Sequence, residues 1–283
     1  MAPSVAFEAW DGWGAWQATR TAEDERFNEA YRTRLAAVRK AREGGFEARC
    51  SACGRVGRFR IDPMVKVDDE THRERLVCPS CRLPGRNRAA LAVLDHEGLG
   101  LEAAVYATEH GTPLIPRLRQ RARHVATSEF HPERRPRLRR LRQWIRHGAA
   151  AHEDLLALSF CSASWDAVVC LDVFEHIHEV DAAFAECARV LRPGGVLVAT
   201  APFDENTETD RRLATLREGD VLEWSGPEEW HADPLGGRVP CFHRFGWAVL
   251  GRLRAAGFRE AQLCRVDAPG EALFGLWVIR ARR

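Results

Sequence analysis

Apolar residues in the second half of the chain come in two rhythms. AVVCL at 167–171 and VLVAT at 196–200 run without a polar break, as strands do in a parallel sheet with helices on both faces. Between them Ala183, Phe184, Cys187, Val190 and Leu191 recur at three- and four-residue spacing, the stripe of an amphipathic helix. The same reading predicts strands near 103–108, 124–128, 144–147, 165–171, 195–200, 260–266 and 273–280. Helices are predicted over 112–122, 133–142, 180–191 and 244–256. Strands alternating with helices define an α/β fold with a largely parallel sheet.

The first half is organised differently. Residues 1–45 form an arm that begins AWDGWGAWQ and continues as a charged, helical stretch to Arg42, ended by Gly44-Gly45. Trp10, Trp13 and Trp16 recur every three residues and would share one side of a helical turn. They read as anchors of the arm; an aromatic substrate platform or partner groove is the alternative. Gly12 and Gly14 weaken a regular helix there. Residues 46–95 form a second unit around paired cysteines, and residues 96–283 a third, the α/β domain.

Length and composition narrow the class. A chain of 283 residues, 45% hydrophobic and 29% charged, has room for one large domain and a small one. No apolar run is long enough to span a bilayer, and residues 1–30 lack a signal-peptide core, so a soluble, cytoplasmic protein without a membrane partner is expected. The net charge of +2 hides a local concentration: residues 117–146 hold eleven arginines against Glu129 and Glu133.

Nine cysteines without an export signal argue against a disulfide scaffold. Cys161, Cys170, Cys187, Cys241 and Cys264 are scattered among apolar neighbours and read as buried small hydrophobes. The other four form CSAC at 50–53 and CPSC at 78–81, two C-x-x-C knuckles separated by twenty-four residues. Each knuckle points two thiolates at one ion, and Cys50, Cys53, Cys78 and Cys81 together close a tetrahedral Zn2+ site. Four sulfurs leave no open position for substrate, so the zinc is expected to be structural. Gly54 suits the turn of the first knuckle, and the intervening segment reads as two strands and a loop, as in a zinc ribbon. His72 reads more simply as a loop residue than as a competing ligand.

The chemistry is written in WDAVVCLDVFEHIHEVDAAFAECARVLRPGGVLVATAPF, residues 165–203. A strand ends in DVFEHI, a helix follows, and RPGG turns the chain into the next strand. Ligands bind at the carboxyl ends of parallel strands, so Asp172, Val173, Glu175 and His176 are expected to face a site. This run resembles the class I S-adenosylmethionine (SAM)-dependent methyltransferases that carry a D-x-x-E-H segment and an L-(R/K)-P-G-G turn. PEEWHADP at 227–234, FHRFGWAVLGRLRAAGF at 242–258 and CPSCRLPGRNRAAL are similar to segments of a zinc-ribbon-bearing subset of that family. The resemblance covers about residues 99–283. It implies a Rossmann-like, seven-stranded class I methyltransferase sheet with a reversed last strand, behind an N-terminal zinc ribbon.

The resemblance also implies where SAM binds. Glu129, at the end of HVATSEF, takes the place of the acid that binds the ribose hydroxyls, with surface charge balance as its alternative role. HEDLLALSF supplies Asp154 near the adenine amine, with Glu153 as the near alternative and Leu155 as the next backbone contact. Asp172 and Val173 fall beside the methionyl part, or serve in capping and loop packing. The first strand's turn departs from the family pattern: VYATEHGTPLIPRL has Gly111 where E-x-G-x-G-x-G is usual. SAM carries no phosphate and needs a recess rather than a pyrophosphate cradle. Glu109 can meet the methionyl amino group, Thr112 can cap the next helix and Pro113 suits its first turn.

Methyl transfer from a sulfonium is a direct displacement, and alignment of nucleophile, methyl carbon and leaving sulfur is the enzyme's main work. A general base assists a hydroxyl or protonated amine. His176, His231 and His243 are the candidates; His231 with Asp233 is preferred because WHADP sits where the acceptor wall forms, shaped by Trp230 and Trp224. The expected activity is methyl transfer to an O or N nucleophile of a small-molecule, saccharide or peptide-linked acceptor. Two alternatives stand beside it. One is an RNA-base methyltransferase that uses the ribbon and the arginines on nucleic acid. The other is a non-catalytic methyltransferase-like partner protein, motivated by the missing glycines.

Overall fold

The computed structural model describes residues 5–22, 24–61, 74, 76–130, 151–218, 221–232 and 237–283. The expected helix 133–142 and strand 144–147, the arginines from 134 to 146, His72 and Asp233 lie outside the described residues. In chain order the elements are β1 (Phe7–Trp10), α1 (Trp13–Ala22), α2 (Asp24–Glu43), β2 (Phe46–Arg49), β3 (Val56–Phe59), α3 (Gly85–His96), β4 (Ala104–Ala107), α4 (Leu114–Leu118) and β5 (His124–Glu129). After these come β6 (Ala151–His152), β7 (Trp165–Leu171), α5 (Val180–Val190) and β8 (Leu191–Thr200). Six short strands follow: β9 (Arg211–Arg212), β10 (Ala214–Arg217), β11 (Val221–Trp224), β12 (Trp230–Ala232), β13 (Arg238–Pro240) and β14 (His243–Arg244). The chain ends with α6 (Val249–Ala255), β15 (Glu260–Ala268) and β16 (Leu273–Arg282). No helix among the described residues is long and apolar enough to cross a membrane.

The chain divides into two compact units, residues 1–99 with 262–280, and residues 100–261 with 281–283. In the first unit, β15 and β16 are neighbours joined by the short turn Pro269–Glu271 and Ala272, too short for a crossover and therefore a hairpin. Residues 7–10, at the start of the aromatic arm, form β1, antiparallel to β15 with Phe7 opposite Val266. That strand buries Trp10. Trp16 on α1 reaches back to it edge-on at 4.9 Å, and both rings lie against Trp277 of β16 at 5.5 and 5.2 Å. Trp10 and Trp16 are thus core residues of this unit, while Trp13 stays half-exposed. Period-three spacing did not place the three on one side because the first of them is in a strand.

In the second unit β8, β7, β4, β5 and β6 lie side by side in that order, every adjacent pair parallel. The continuous apolar runs explain the layer: Val105–Ala107, Ala167–Cys170 and Val196–Ala199 are all buried. On α5, Phe184 and Cys187 are buried as its stripe requires. The chain runs from β4 to β5 to β6 on one side, then returns to β7 and β8 on the other. That reversal is the topological switch point at which open α/β sheets bind ligands. The crevice lies beyond the carboxyl ends of β4 and β7.

RPGG closes the opposite end of the sheet. Arg192 makes a two-pronged contact with Asp166 at 2.7 Å to both oxygens, and Asp166 also accepts the Ala104 N–H at 2.8 Å. A Cβ on Gly195 would meet the Arg192 and Asp166 carbonyl oxygens at 2.9 and 3.2 Å. Two departures from expectation have local causes. The helix expected over 112–122 contracts to α4, because Pro116 offers no N–H to extend a regular ladder. The helix expected from 244 begins at Val249, because His243 and Arg244 pair with β9 and Gly246 packs against the Thr207 and Thr209 carbonyls.

Candidate active site

The residues expected to hold SAM cluster on the switch-point side of the second unit. Glu109, Gly111 and Thr112 follow β4; Glu129 ends β5; Asp154 and Leu155 follow β6; Asp172 and Val173 follow β7. Glu129 Oε1 accepts the backbone N–H of His110 at 3.1 Å, and the His110 ring bonds the Thr127 hydroxyl at 2.8 Å. These bonds tie the loop after β4 to the second strand. Gly111 adopts φ +70, which a side chain would strain, so the loop's single glycine is where the backbone needs one. The Thr112 hydroxyl accepts the Leu114 N–H at 3.3 Å, with Pro113 in the capping position.

The other two contacts are equally well defined. Asp154 turns back on its own loop, Oδ1 accepting the Leu156 N–H at 2.9 Å, and Leu155 is buried beside it. That loop is clamped from α5. Glu186 accepts the Leu158 N–H at 2.8 Å, while Arg189 donates to the Leu158 and Phe160 carbonyls at 2.9 and 2.8 Å. Asp172 sits in the left-handed region at φ 53, costly for a residue other than glycine. It is held there by its N–H to the Thr200 carbonyl and its carboxylate to the Thr200 hydroxyl, both at 2.8 Å. Strain of this kind, at a strand tip on the crevice, is a signature of a functional position.

His176 and His231 come together; His243 does not. His243 is buried, its Nε2 donating to the His178 carbonyl at 3.2 Å and its ring stacked on Phe245. The rings of His176 and His231 meet edge-on at 5.0 Å, brought together by the short helix Phe174–His176 after β7 and by strand β12. Two further residues join them, Cys241, which sequence reading placed in the core, and Glu175, which it placed facing the site. Cys241, read as a hydrophobe, is fully buried with its sulfur within 4.8 Å of both histidines. Glu175, adjacent to His176, is 0% exposed, and neither of its carboxylate oxygens has a hydrogen-bond partner. No local signal could have paired Cys241 with His176, sixty-five residues away.

Electrostatics set the protonation of this cluster. Burial pushes the Glu175 carboxyl up, opposed by His231 and reinforced by Asp172. Cys241, Glu175 and Glu229 push His231 up to about 11, so the metal-free ring is an imidazolium at neutral pH. Glu229, beside His231 and doubly bonded by Arg244 at 3.2 and 3.0 Å, is held down at about 2. Burial alone would raise the Cys241 thiol, but His176 and His231 outweigh it and lower it. Trp230 and Trp224 lie 5.6 Å apart beyond the histidines, with Arg238 over the Trp230 ring at 5.5 Å.

In the first unit the four paired cysteines converge. Cys50 and Cys81 sulfurs are 3.6 Å apart, Cys53 and Cys78 3.9 Å, and all four lie within 4.8 Å. Tetrahedral zinc thiolates place neighbouring sulfurs about 3.7 Å apart, so the donor set fits the ion. Each knuckle turns through a left-handed residue, Gly54 at φ 71 and Arg82 at φ 63. Buried Arg88 packs at 4.7 Å over Phe59 and donates to the carbonyls of Leu76, Glu271 and Ala272 at 3.1, 2.6 and 2.9 Å. The remaining cysteines divide: Cys170, Cys187 and Cys264 are buried, as expected, but Cys161 is exposed.

Residues 101–199, which run from the first parallel strand through β8, match a family described as a methyltransferase domain. The chain is 35% identical over 137 residues to a probable S-adenosylmethionine-dependent methyltransferase of Mycolicibacterium smegmatis. That match takes in 44% of this chain and 49% of the relative, so the chain spans about half the length of the curated relative it matches. Among solved structures, a 1,6-didemethyltoxoflavin-N1-methyltransferase of Burkholderia thailandensis is 22% identical, covering 70% of this chain and 78% of that one, with a TM-score of 0.41. A SAM-dependent methyltransferase of Mesorhizobium loti is 15% identical, covering 69% and 98%, with a TM-score of 0.40. Residues 101–199 thus match a methyltransferase domain, and they carry the parallel strands of the second unit.

Proposed function

We propose that the protein is a SAM-dependent methyltransferase acting on a small-molecule, saccharide or peptide-linked acceptor. The observation that carries this reading is the placement of carboxylates around the switch point. Glu109, Glu129, Asp154 and Asp172 sit at or just beyond the ends of successive strands. A cationic amino group, a sulfonium, ribose hydroxyls and an adenine amine ask for acceptors arranged in this way. When bound, SAM supplies an electrophilic methyl group.

The chain's own residues then do three things. Glu129 binds hydroxyls and, through the His110 amide, holds the loop after β4 in place. Asp172 and Glu109 offer negative charge to the positively charged end of the ligand. His231 and His176, with Trp230 and Trp224 beyond them, bound the acceptor side and position the acceptor nucleophile. Asp233, expected beside His231 from the sequence, lies outside the described residues. The four-cysteine cluster holds a structural zinc in a ribbon, and a thiolate set of this kind suits a reducing, cytoplasmic setting.

Calorimetric titration of the folded, zinc-loaded chain with SAM and with its demethylated product tests the proposal. Micromolar binding, about 8 kcal/mol, is expected. Absence of binding by a sample with native circular dichroism would leave a methyltransferase-like scaffold as the correct reading.

A further inference from the structure

We infer that His176, His231, Cys241 and Glu175 form a second metal site, for zinc, on the acceptor side of the parallel sheet. Three observations carry it. First, one donor atom from each of His176, His231 and Cys241 lies within 4.8 Å of the others. Glu175 Oε1 lies beside the two rings, 3.6 Å from both His176 Nε2 and His231 Nδ1. Ligands around zinc, at about 2.0–2.3 Å from the ion, stand about 3.3–3.8 Å apart. The two 3.6 Å gaps at Glu175 Oε1 are too long for direct hydrogen bonds and leave room for an ion between the groups.

Second, the ring tautomers are set for ligation. His176 Nδ1 contacts the Pro240 carbonyl at 2.8 Å, and a carbonyl only accepts, so Nδ1 carries the proton there. In the neutral ring Nε2 then presents its lone pair towards the Glu175 carboxylate. Two electron-rich atoms facing each other across 3.6 Å call for a cation. His231 repeats the arrangement: Nε2 faces Glu229 at 3.7 Å, Glu229 is fixed by Arg244, and Nδ1 is left pointing at Glu175. A carboxylate or carbonyl behind each ligating histidine is the usual outer support of a metal site.

Third, Glu175 is completely buried, and both of its oxygens lack hydrogen-bond partners. A buried carboxylate needs a cation against it, and the groups 3.6 Å away are the same two histidines that would ligate the ion. A divalent ion held by Glu175 and the Cys241 thiolate cancels both charges. Two histidines, one thiolate and a carboxylate select zinc among common ions, since magnesium and calcium prefer all-oxygen sets. His231, 36% exposed, leaves a path for the ion to enter. Bound there, zinc ties the D-x-x-E-H segment after β7 to the β12–β13 ladder of the insertion. Zinc binding here does not depend on methyl transfer, and its test is blind to SAM.

The test is zinc content by mass spectrometry on the full chain purified with zinc, for wild type, Cys241→Ser, His231→Gln and Glu175→Gln. Cys241→Ser and His231→Gln should each hold one zinc fewer per chain than wild type, with unchanged far-ultraviolet circular dichroism. Cobalt added to the metal-free chain should give, besides four-thiolate bands, a second set of single-thiolate character that Cys241→Ser removes. The second set should be weakened but present in Glu175→Gln. Equal zinc in wild type and both ligand variants, or a cobalt spectrum unchanged by Cys241→Ser, would overturn the site. Because His231 is partly exposed, His231→Gln keeps the test sound even where Cys241→Ser disturbs packing.

Discussion

Two polar clusters in this protein are built on opposite plans. The four paired cysteines of the first unit fall within thirty-two residues, sit on two tight knuckles and face one another with no room for anything but an ion. The groups around the switch point of the second unit are drawn from residues 109 to 241 and ride on strand tips and an insertion. They include a strained Asp172, a left-handed Gly111 and a buried Glu175 without a hydrogen-bond partner. The first cluster stabilises its surroundings and offers nothing to a ligand. The second tolerates strain and exposed acceptors, which is what a binding site requires and what a structural site avoids. Mutations should therefore separate stability from ligand affinity cleanly between the two.

The largest effect is expected from Cys78→Ser. With zinc held there as proposed, one lost thiolate opens the tetrahedron, and structural zinc supplies roughly 10–16 kcal/mol of apparent binding free energy to small domains. Thermal melts should show the cooperative transition lost or split, and a strong chelator should reproduce that on wild type. SAM affinity of whatever second unit stays folded should change little. A Cys78→Ser chain that melts like wild type would erase the contrast between the clusters.

Glu129→Ala tests the other side. Loss of one or more hydrogen bonds to a charged acceptor costs about 1.5–3 kcal/mol, or roughly ten- to a hundred-fold in the dissociation constant for SAM by calorimetry. The melting temperature should move by no more than a few degrees, because Glu129 is only half-buried at a strand end. Unchanged affinity would mean that the ribose side of the pocket lies elsewhere. Gly111→Ala comes next: at φ +70 an added Cβ costs about 1–2 kcal/mol, so a smaller loss of both stability and SAM affinity is expected in paired melts and titrations.

The two plans also explain what could be read in the sequence. Strand and helix positions from 165 to 200 were legible because period and flanks agreed: an unbroken apolar run, an acidic tip, a stripe and a Pro-Gly-Gly turn. The cysteine pairs were legible because two knuckles carry their geometry in their own spacing. β1 was hidden because Trp10, Trp13 and Trp16 mimic a helical period while Trp10 pairs in a sheet. The Cys241 cluster was hidden because it is assembled by tertiary folding, and a lone cysteine among apolar residues has the same local pattern whether it packs or ligates. Glu175 was visible as a residue facing the site, but its lack of partners is a property of the folded interior alone.

The smallest predicted effect concerns the clamp on the loop after β6. Glu186 is held below the usual carboxylate range by its bond to Arg189, at 2.7 Å, with the Leu158 N–H adding to the same effect. A depressed folded-state pKa gives stability that is full above the unfolded value, about 4.5, and is lost as pH falls through the folded value. Glu186→Gln should therefore cost about 0.5–1 kcal/mol at pH 7, since the pair is only partly shielded from water. Wild type and variant should converge as the pH is lowered below 4.5, as followed by urea melts at stepped pH. Because Glu186 and Arg189 grip the backbone that carries Asp154 and Leu155, the same variant should loosen SAM binding slightly, by less than Gly111→Ala. If stability and affinity fall together here, this clamp shares the roles of both clusters: a structural ion pair that sets the position of a ligand loop.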